Sequence, residues 1–132
     1  MPLDYQIDPH HGVVRTRAWG SLADAEIRAH YQHIAADPRF QPTFHLFCDL
    51  RGVTQIEAAR DSLRDLARLS TFGPDTRRAF LVYHDEHFGL ARMLQAFCEL
   101  EGTTAAVFRQ LADAEAWLGL PPSDSSAQGV AP

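Results

Sequence analysis

The pattern of apolar and polar positions predicts five strands and four helices in a single domain. Two short alternating segments, LDYQI and VVRTRAW, flank the turn DPHHG and are expected to pair as a hairpin. Three nearly continuous apolar runs follow, TFHLFCDL, RAFLVY and TAAVF, and a segment of helical period separates each from the next. Such runs are typical of strands covered on both faces, and helical crossovers between them imply parallel pairing.

The predicted fold class is therefore α/β, with the element order β-β-α-β-α-β-α-β-α and a five-stranded mixed sheet. We expect one antiparallel edge strand, the first of the hairpin, and helical crossovers elsewhere. Ser21 is predicted to cap the first helix, and the second helix is predicted to turn Ile56 and Leu63 inward. The domain is predicted over residues 1–120. The tail, residues 121–132, is expected to be disordered because it has no anchoring side chain.

Composition narrows the function classes. The 132 residues are 45% hydrophobic, and 17 acids against 12 bases give a formal charge of -5, which favours neither nucleic acid nor an anionic membrane. All the bases are arginine, so a Schiff-base enzyme and a P-loop are excluded. No signal peptide and no membrane-spanning run is evident, so we expect a cytoplasmic protein without membrane insertion, in which Cys48 and Cys98 are reduced core thiols.

Polar side chains follow two of the predicted strands. Asp49 and Arg51 stand where the first apolar run ends, and His84 and His87 flank the start of the third helix. Because carboxyl ends of parallel strands meet at one edge of a sheet, these four side chains can form a polar mouth. The favoured alternative is local: Asp49 accepts backbone N–H groups of its own turn, and Arg51 pairs with a nearby acid.

Catalytic and metal-binding motifs are scarce. No GxSxG elbow and no glycine-rich nucleotide loop occurs, so no catalytic residue and no cofactor is predicted. Six of the seven histidines are scattered in pairs over a turn, a helix and a loop, which does not indicate three or four converging metal ligands. We therefore expect solvent-facing histidines and no metal site, with His45 as a satisfied imidazole in a buried strand.

The third predicted helix is the most apolar of the four. Leu90, Met93 and Phe97 belong to a stripe broader than one sheet face requires. Such a stripe covers either a partner subunit or a ligand, or it belongs to a helix that is simply well buried. The last interpretation is the favoured one.

The segment DLRGVTQIEAARDSL resembles the D-L-S-x-V-x-x-[IM]-D-S-S-G segment of STAS domains, the fold of bacterial anti-sigma-factor antagonists. The segments CDLRGV, RRAFLVYHDEHFGLARM and AVFRQLADAEAWLGL resemble SpoIIAA-like proteins, and the resemblance covers about residues 3–120. It implies a STAS/SpoIIAA-like fold. In the antagonists the phosphorylated serine begins the helix after the acid, whereas Ala58 and Ala59 occupy those positions here and offer no hydroxyl.

Three functions follow from these observations. The first is a non-catalytic STAS-like regulatory or protein-interaction module that lacks the phosphorylatable serine, with a protein partner or a second copy of the chain (a homodimer) bound to it. The second is a carrier or sensor of a small apolar ligand or lipid, in which the stripe of Leu90, Met93 and Phe97 walls a cavity. The third, ranked last, is an enzyme that uses the polar mouth of Asp49, Arg51, His84 and His87.

Overall fold

The computed structural model describes residues 2–57, 60–68 and 71–122. The strands are β1 (Leu3–Asp8), β2 (Val13–Ala23), β3 (His45–Glu57), β4 (Arg77–Leu81) and β5 (Thr104–Phe108). The helices are α1 (Asp24–Ala36), α2 (Arg60–Ala67), α3 (Asp85–Leu100) and α4 (Leu111–Leu118). The predicted α/β class and order of elements are confirmed.

The sheet has the order β1-β2-β3-β4-β5. β1 is antiparallel to β2 at one edge, and the other neighbouring pairs are parallel, as the apolar runs and helical crossovers predicted. The hairpin turn between β1 and β2 includes Gly12, whose φ of 65° lies in the left-handed region that glycine adopts without strain. The position of β1 at the edge of the sheet, antiparallel to β2, confirms the predicted antiparallel edge strand.

The two faces of the sheet carry different layers. On one face α1, α2 and α3 pack over a core that includes Leu46 and Phe80. On the other face α4 packs against Phe47, Ala79 and Leu81. Since neighbouring residues of a strand point to opposite faces, consecutive positions of β3 and β4 alternate between these two cores.

Two strands are longer than predicted. β3 continues past Asp49 to Glu57, and it stays parallel to β2 as far as Ala23. Ser21 therefore lies in β2 and caps nothing, and Ile56 lies in β3 rather than in a helix, so both predictions are wrong. In this region the backbone N–H and C=O groups of β2 and β3 form hydrogen bonds between the two strands. These hydrogen bonds outweigh the local sequence preference for a helix.

Gly102 follows the end of α3 with a φ of 79°, a left-handed conformation typical of the residue after a helix. Two sequence predictions concern residues that the structure does not describe. Ala58 and Ala59 lie outside the described residues, and so do residues 123–132. Disorder of the tail stays a prediction.

Candidate functional site

A cavity lies between the sheet and the three helices that cover one of its faces. Its volume is about 80 Å³. Leu46 and Phe80 of the sheet line it, and each helix contributes apolar side chains, among them Ile27 from α1, Leu63 from α2 and Leu90 from α3. The lining is predominantly apolar, so the cavity suits a ligand that is itself mostly apolar.

Thr16 and His30 form a polar contact within this apolar lining. Thr16 Oγ1 lies 2.8 Å from His30 Nε2, and both residues are buried. Burial, with a smaller contribution from the neighbouring His33, lowers the pKa of His30 from 6.5 to about 4. His30 is therefore neutral at pH 7. The expectation that the histidines face solvent is wrong for this residue, which sits on the inner side of α1.

Arg78 is the one arginine among the described residues that line the cavity. Its side chain points to the helix-covered face, because it pairs in register with Leu46 and Ala105 of that face, and only 6% of the residue is exposed. One terminal nitrogen donates to the Phe72 carbonyl at 3.2 Å, and the other lies 4.0 Å from Cys98 Sγ. The buried Nε finds no acceptor. Among the described residues no carboxylate forms an ion pair with Arg78.

Two thiols and a phenol also line the cavity. Burial raises the pKa of Cys48 to about 12, and the negative charge of Asp49 adds to this. Burial raises the pKa of Cys98 as well, although Arg78 acts in the opposite direction. The pKa of Tyr31 is raised by burial too. These three groups are therefore protonated at neutral pH.

The two histidines at the start of α3 have different surroundings. His87 is only 2% exposed and lines the cavity, and its Nδ1 is buried without a partner. His84 is exposed at the N-terminal end of α3, with its ring centroid 5.2 Å from that of His87. The expectation of solvent-facing histidines is therefore wrong for His87 also.

Asp49 and Arg51 form a local pair on the opposite face of the sheet. Asp49 Oδ1 accepts from the backbone N–H and from Nε of Arg51, each at 3.0 Å, and Oδ2 accepts from the terminal nitrogen at 2.9 Å. Cys48 and Leu50 face the helices, so Asp49 between them lies on the α4 face of the sheet. No hydrogen bond or ion pair within the described parts of the chain joins this pair to His84 or His87. The structure does not assemble the polar mouth, and Asp49 lies within a strand rather than in a turn.

The apolar stripe of α3 only partly walls the cavity. Leu90 lines it, whereas Met93 and Phe97 do not. Phe97 instead packs against the core, and the Arg64 guanidinium lies 5.4 Å from its ring centroid. Leu94, one turn after Leu90, lines the cavity, where the sequence analysis had placed Met93 and Phe97.

Sequence reasoning missed Arg78, Tyr31 and His30 as cavity residues. For Arg78 a signal was present: in a strand, residues two positions apart share a face, and Arg78 alternates with Phe80 and Val82. His45 was expected to be a satisfied imidazole. It is half-buried, and its Nδ1 accepts the backbone N–H of Arg77 at 2.9 Å.

Within the described residues, no group of three or more His, Cys, Asp or Glu side chains is placed to hold a metal ion. No helix in the described part of the chain has the length and apolar character that crossing a membrane requires.

Comparisons with known proteins bear on the fold. No protein-family model matches the sequence, and no curated protein matches it. Among solved structures, the chain is similar to an uncharacterised protein of the DUF3478 family from Shewanella loihica PV-4, whose crystal structure is described as having a SpoIIAA-like fold. The two chains are 17% identical and superpose with a TM-score of 0.58 over 88% of this chain and 91% of that chain. This protein therefore has a SpoIIAA-like fold, as its resemblance to STAS and SpoIIAA-like sequences implied.

Proposed function

We propose that this protein is a non-catalytic module that works by binding a small, mostly apolar ligand in the cavity beneath α1, α2 and α3. The observation that carries the proposal is the cavity itself, since close-packed interiors leave few voids of this size. A binding role also agrees with the regulatory, non-enzymatic use of the fold that the STAS resemblance implies.

The size of the cavity limits the ligand. Its volume of about 80 Å³ is about half that of an engineered apolar cavity of roughly 150 Å³ that accepts benzene. A group of a few heavy atoms fits without rearrangement. A longer tail requires displacement of wall residues, such as Leu63 and Leu66 of the short helix α2.

The chemistry of the lining supports binding rather than catalysis. A catalytic cysteine needs a lowered pKa, usually through a neighbouring cation or base. Cys48 and Cys98 have raised pKa values, and the same holds for the phenol of Tyr31. On the opposite face of the sheet, the Asp49 carboxylate is engaged by its neighbour Arg51.

Substitution of Ala91 tests the proposal. Ala91 lies on α3 and lines the cavity, so Ala91→Leu fills space that a ligand requires. Ala96→Leu is the matched control, because Ala96 is exposed on the same helix. Xenon and 1-butanol serve as probes, and binding is followed by chemical-shift changes in two-dimensional NMR spectra.

We expect both probes to shift resonances of cavity residues in the natural protein and in Ala96→Leu, and to lose this effect in Ala91→Leu. Circular dichroism establishes that each variant is folded at the temperature of measurement. Binding in Ala91→Leu that matches the natural protein contradicts the proposal, and so does absence of any shift in the natural protein. Native mass spectrometry of freshly purified protein adds a direct search for a retained ligand.

A second candidate function is self-association through the sheet face that α4 leaves uncovered. Arg17 and Asp4 pair on this face at 3.1 Å, and Trp19 is 39% exposed with the Arg17 guanidinium 5.3 Å from its ring centroid. Tryptophan and arginine are enriched at interfaces, and a face that carries both charge signs is complementary to its own copy in a two-fold dimer. Light scattering after size exclusion tests this: we expect a dimer that Trp19→Ser converts to monomer, and a monomeric natural protein at high concentration overturns it.

A further inference from the structure

Arg78 is a buried cation without a counter-ion among the described residues. Removal of a charge from water costs several kcal/mol unless an opposite charge or hydrogen bonds compensate, so a buried arginine usually has a carboxylate partner. The guanidinium of Arg78 has instead one carbonyl and one distant sulfur, and its Nε has no acceptor. Because Arg78 lines the apolar cavity, the missing partner has a place to bind.

We infer that the ligand of this cavity is a small monocarboxylic acid whose carboxylate binds the Arg78 guanidinium while its apolar part occupies the space between the sheet and the helices. The inference rests on the proposed function and names the chemical class of its ligand.

The guanidinium has donors to spare for such a ligand. A guanidinium carries five N–H donors, and two contacts with protein atoms are formed here, with the Phe72 carbonyl and Cys98 Sγ. The remaining N–H groups are available to carboxylate oxygens. Charge-assisted hydrogen bonds of this type are about twice as strong as neutral ones, so a single carboxylate adds substantially to the affinity of a small apolar ligand.

The number of cations in the lining favours a carboxylate over a phosphate. Arg78 is the only arginine among the described residues that line the cavity. The sequence contains no lysine. His30, the lining histidine that contacts Thr16, is neutral at pH 7. A phosphate group carries a charge approaching two at pH 7 and usually requires several donors or cations, whereas one guanidinium balances one carboxylate.

An acid that borders a second hollow beside Arg78 is already engaged by another arginine. Arg78 borders a second, more open hollow of about 210 Å³, which Arg68 and Glu101 also border. The Glu101 carboxylate accepts from Arg68 Nε at 3.3 Å. Arg78 therefore stands between the inner cavity and this outer hollow, where an acid that arrives from solvent meets its charge.

The test compares acids with neutral isosteres of the same shape. Butanoate is compared with butanamide, and propanoate with propanamide, by NMR titration of the natural protein, Arg78→Met and Arg77→Met at pH 7. Arg77 is the matched control, since it precedes Arg78 in β4 but is exposed on the opposite face and contacts Trp117. We expect each acid to bind the natural protein at least tenfold more tightly than its amide. In Arg78→Met the affinity for each acid is expected to fall at least tenfold. Arg77→Met is expected to bind both acids and amides with the affinity of the natural protein.

The outcomes separate the inference from the proposed function. Amides that bind the natural protein as tightly as the acids overturn the carboxylate inference and leave the ligand-binding function intact. Failure of both the acids and the amides, together with the failure of xenon and 1-butanol, overturns both. The comparison of acid with amide in the natural protein does not depend on the folding of any variant. Arg78→Lys keeps the positive charge, so it is expected to retain part of the preference for acids over amides.

Discussion

Thr16 Oγ1 and His30 Nε2 lie 2.8 Å apart and join β2 to α1 inside the protein. The His30 ring also packs in T-shaped arrangements with Tyr5 and Tyr31, with centroid distances of 5.6 Å and 5.8 Å. A polar side chain buried in this way costs free energy unless it is hydrogen-bonded. The contact thus fixes the position of α1 over the sheet, and with it one wall of the cavity.

The first prediction concerns the pH dependence of stability. The pKa of His30 is lowered from 6.5 to about 4 by burial and by His33, so the unfolded chain binds a proton more readily than the folded protein below pH 6.5. Stability is therefore complete above pH 6.5 and falls as the pH drops from 6.5 towards 4. A shift of this size corresponds to a loss on the order of 3 kcal/mol, measurable by urea unfolding between pH 4 and pH 7.

Two variants assign this pH dependence. His30→Gln removes the titrating group, and we expect it to flatten the fall in stability below pH 6.5. The pKa of His45 is lowered too, by its burial and by Arg77. His45→Gln therefore measures how much of the pH dependence of stability comes from His45. A full acid-induced loss that persists in His30→Gln contradicts the assignment.

The second prediction concerns the stability cost of Arg78. Arg78→Met removes a buried charge that has no counter-ion among the described residues and keeps an unbranched apolar stem, at the expense of leaving the Phe72 carbonyl without its donor. Replacement of buried ionic groups by apolar ones is often neutral or stabilising. In the absence of ligand we expect the free energy of unfolding to rise by about 1 kcal/mol, as measured by urea unfolding.

Arg77→Met provides the contrast. Arg77 is exposed, and its guanidinium donates to the Trp117 carbonyl and lies 5.4 Å from the Trp117 ring centroid. Loss of these contacts is expected to lower the free energy of unfolding by up to about 1 kcal/mol. Neighbouring arginines of one strand thus respond with opposite sign, and a marked loss of stability in Arg78→Met contradicts the description of its charge as uncompensated.

The contrast between these two arginines shows how far the sequence alone leads. Apolar runs predicted the strands and their parallel order, because burial on both faces leaves a pattern in the residues. The sequence offered a cavity only as one alternative for the apolar stripe of the third helix, because a void depends on how three helices pack over one face rather than on any single segment. Arg78 was assigned to an apolar run, although its spacing of two from Phe80 placed it on an inner face.

The candidate site at Asp49 failed for a different reason. Asp49 was predicted to lie where a strand ends, but β3 continues for eight further residues, because β2 is long enough to pair with it. The length of a strand is set by its partner, which local residue patterns do not report. Once Asp49 lies within the strand, alternation directs it away from His87, and the four predicted site residues are divided between two faces.

The third prediction concerns the Asp49–Arg51 pair. The two side chains are 21% and 32% exposed, so water screens their attraction. We expect Asp49→Asn to lower the free energy of unfolding by less than about 1 kcal/mol and to leave ligand binding unchanged, since the pair lies on the face opposite the cavity. A double-mutant cycle with Arg51→Gln measures the coupling energy between the two side chains.

Two outcomes contradict this description of Asp49. Loss of ligand binding in Asp49→Asn contradicts the placement of the pair on the sheet face opposite the cavity. A catalytic turnover that depends on Asp49 contradicts the expectation that the protein is not an enzyme.

The fourth prediction concerns the accessibility of the two thiols. Cys48 and Cys98 are buried and free, and burial raises the pKa of both, so neither presents a thiolate to a reagent in the folded protein. Reaction with a disulfide reagent at pH 8 then requires local opening, and we expect it to be at least ~100-fold slower than in the unfolded chain. Cys48→Ala and Cys98→Ala report on each thiol separately, and guanidinium-unfolded protein gives the reference rate.

Ligand binding should slow the same reaction further. Both thiols line the cavity, and Cys98 Sγ contacts Arg78, so a bound butanoate stabilises the closed state against the opening that exposes them. At a concentration one hundred times its dissociation constant, a ligand stabilises the closed state by about 2.7 kcal/mol, which corresponds to a decrease of about one hundredfold in the labelling rate. Butanamide at the same concentration is expected to protect less, because it lacks the charge that Arg78 binds. Rapid labelling of either thiol in the native protein, or equal protection by acid and amide, contradicts the placement of the thiols beside an anion-binding guanidinium.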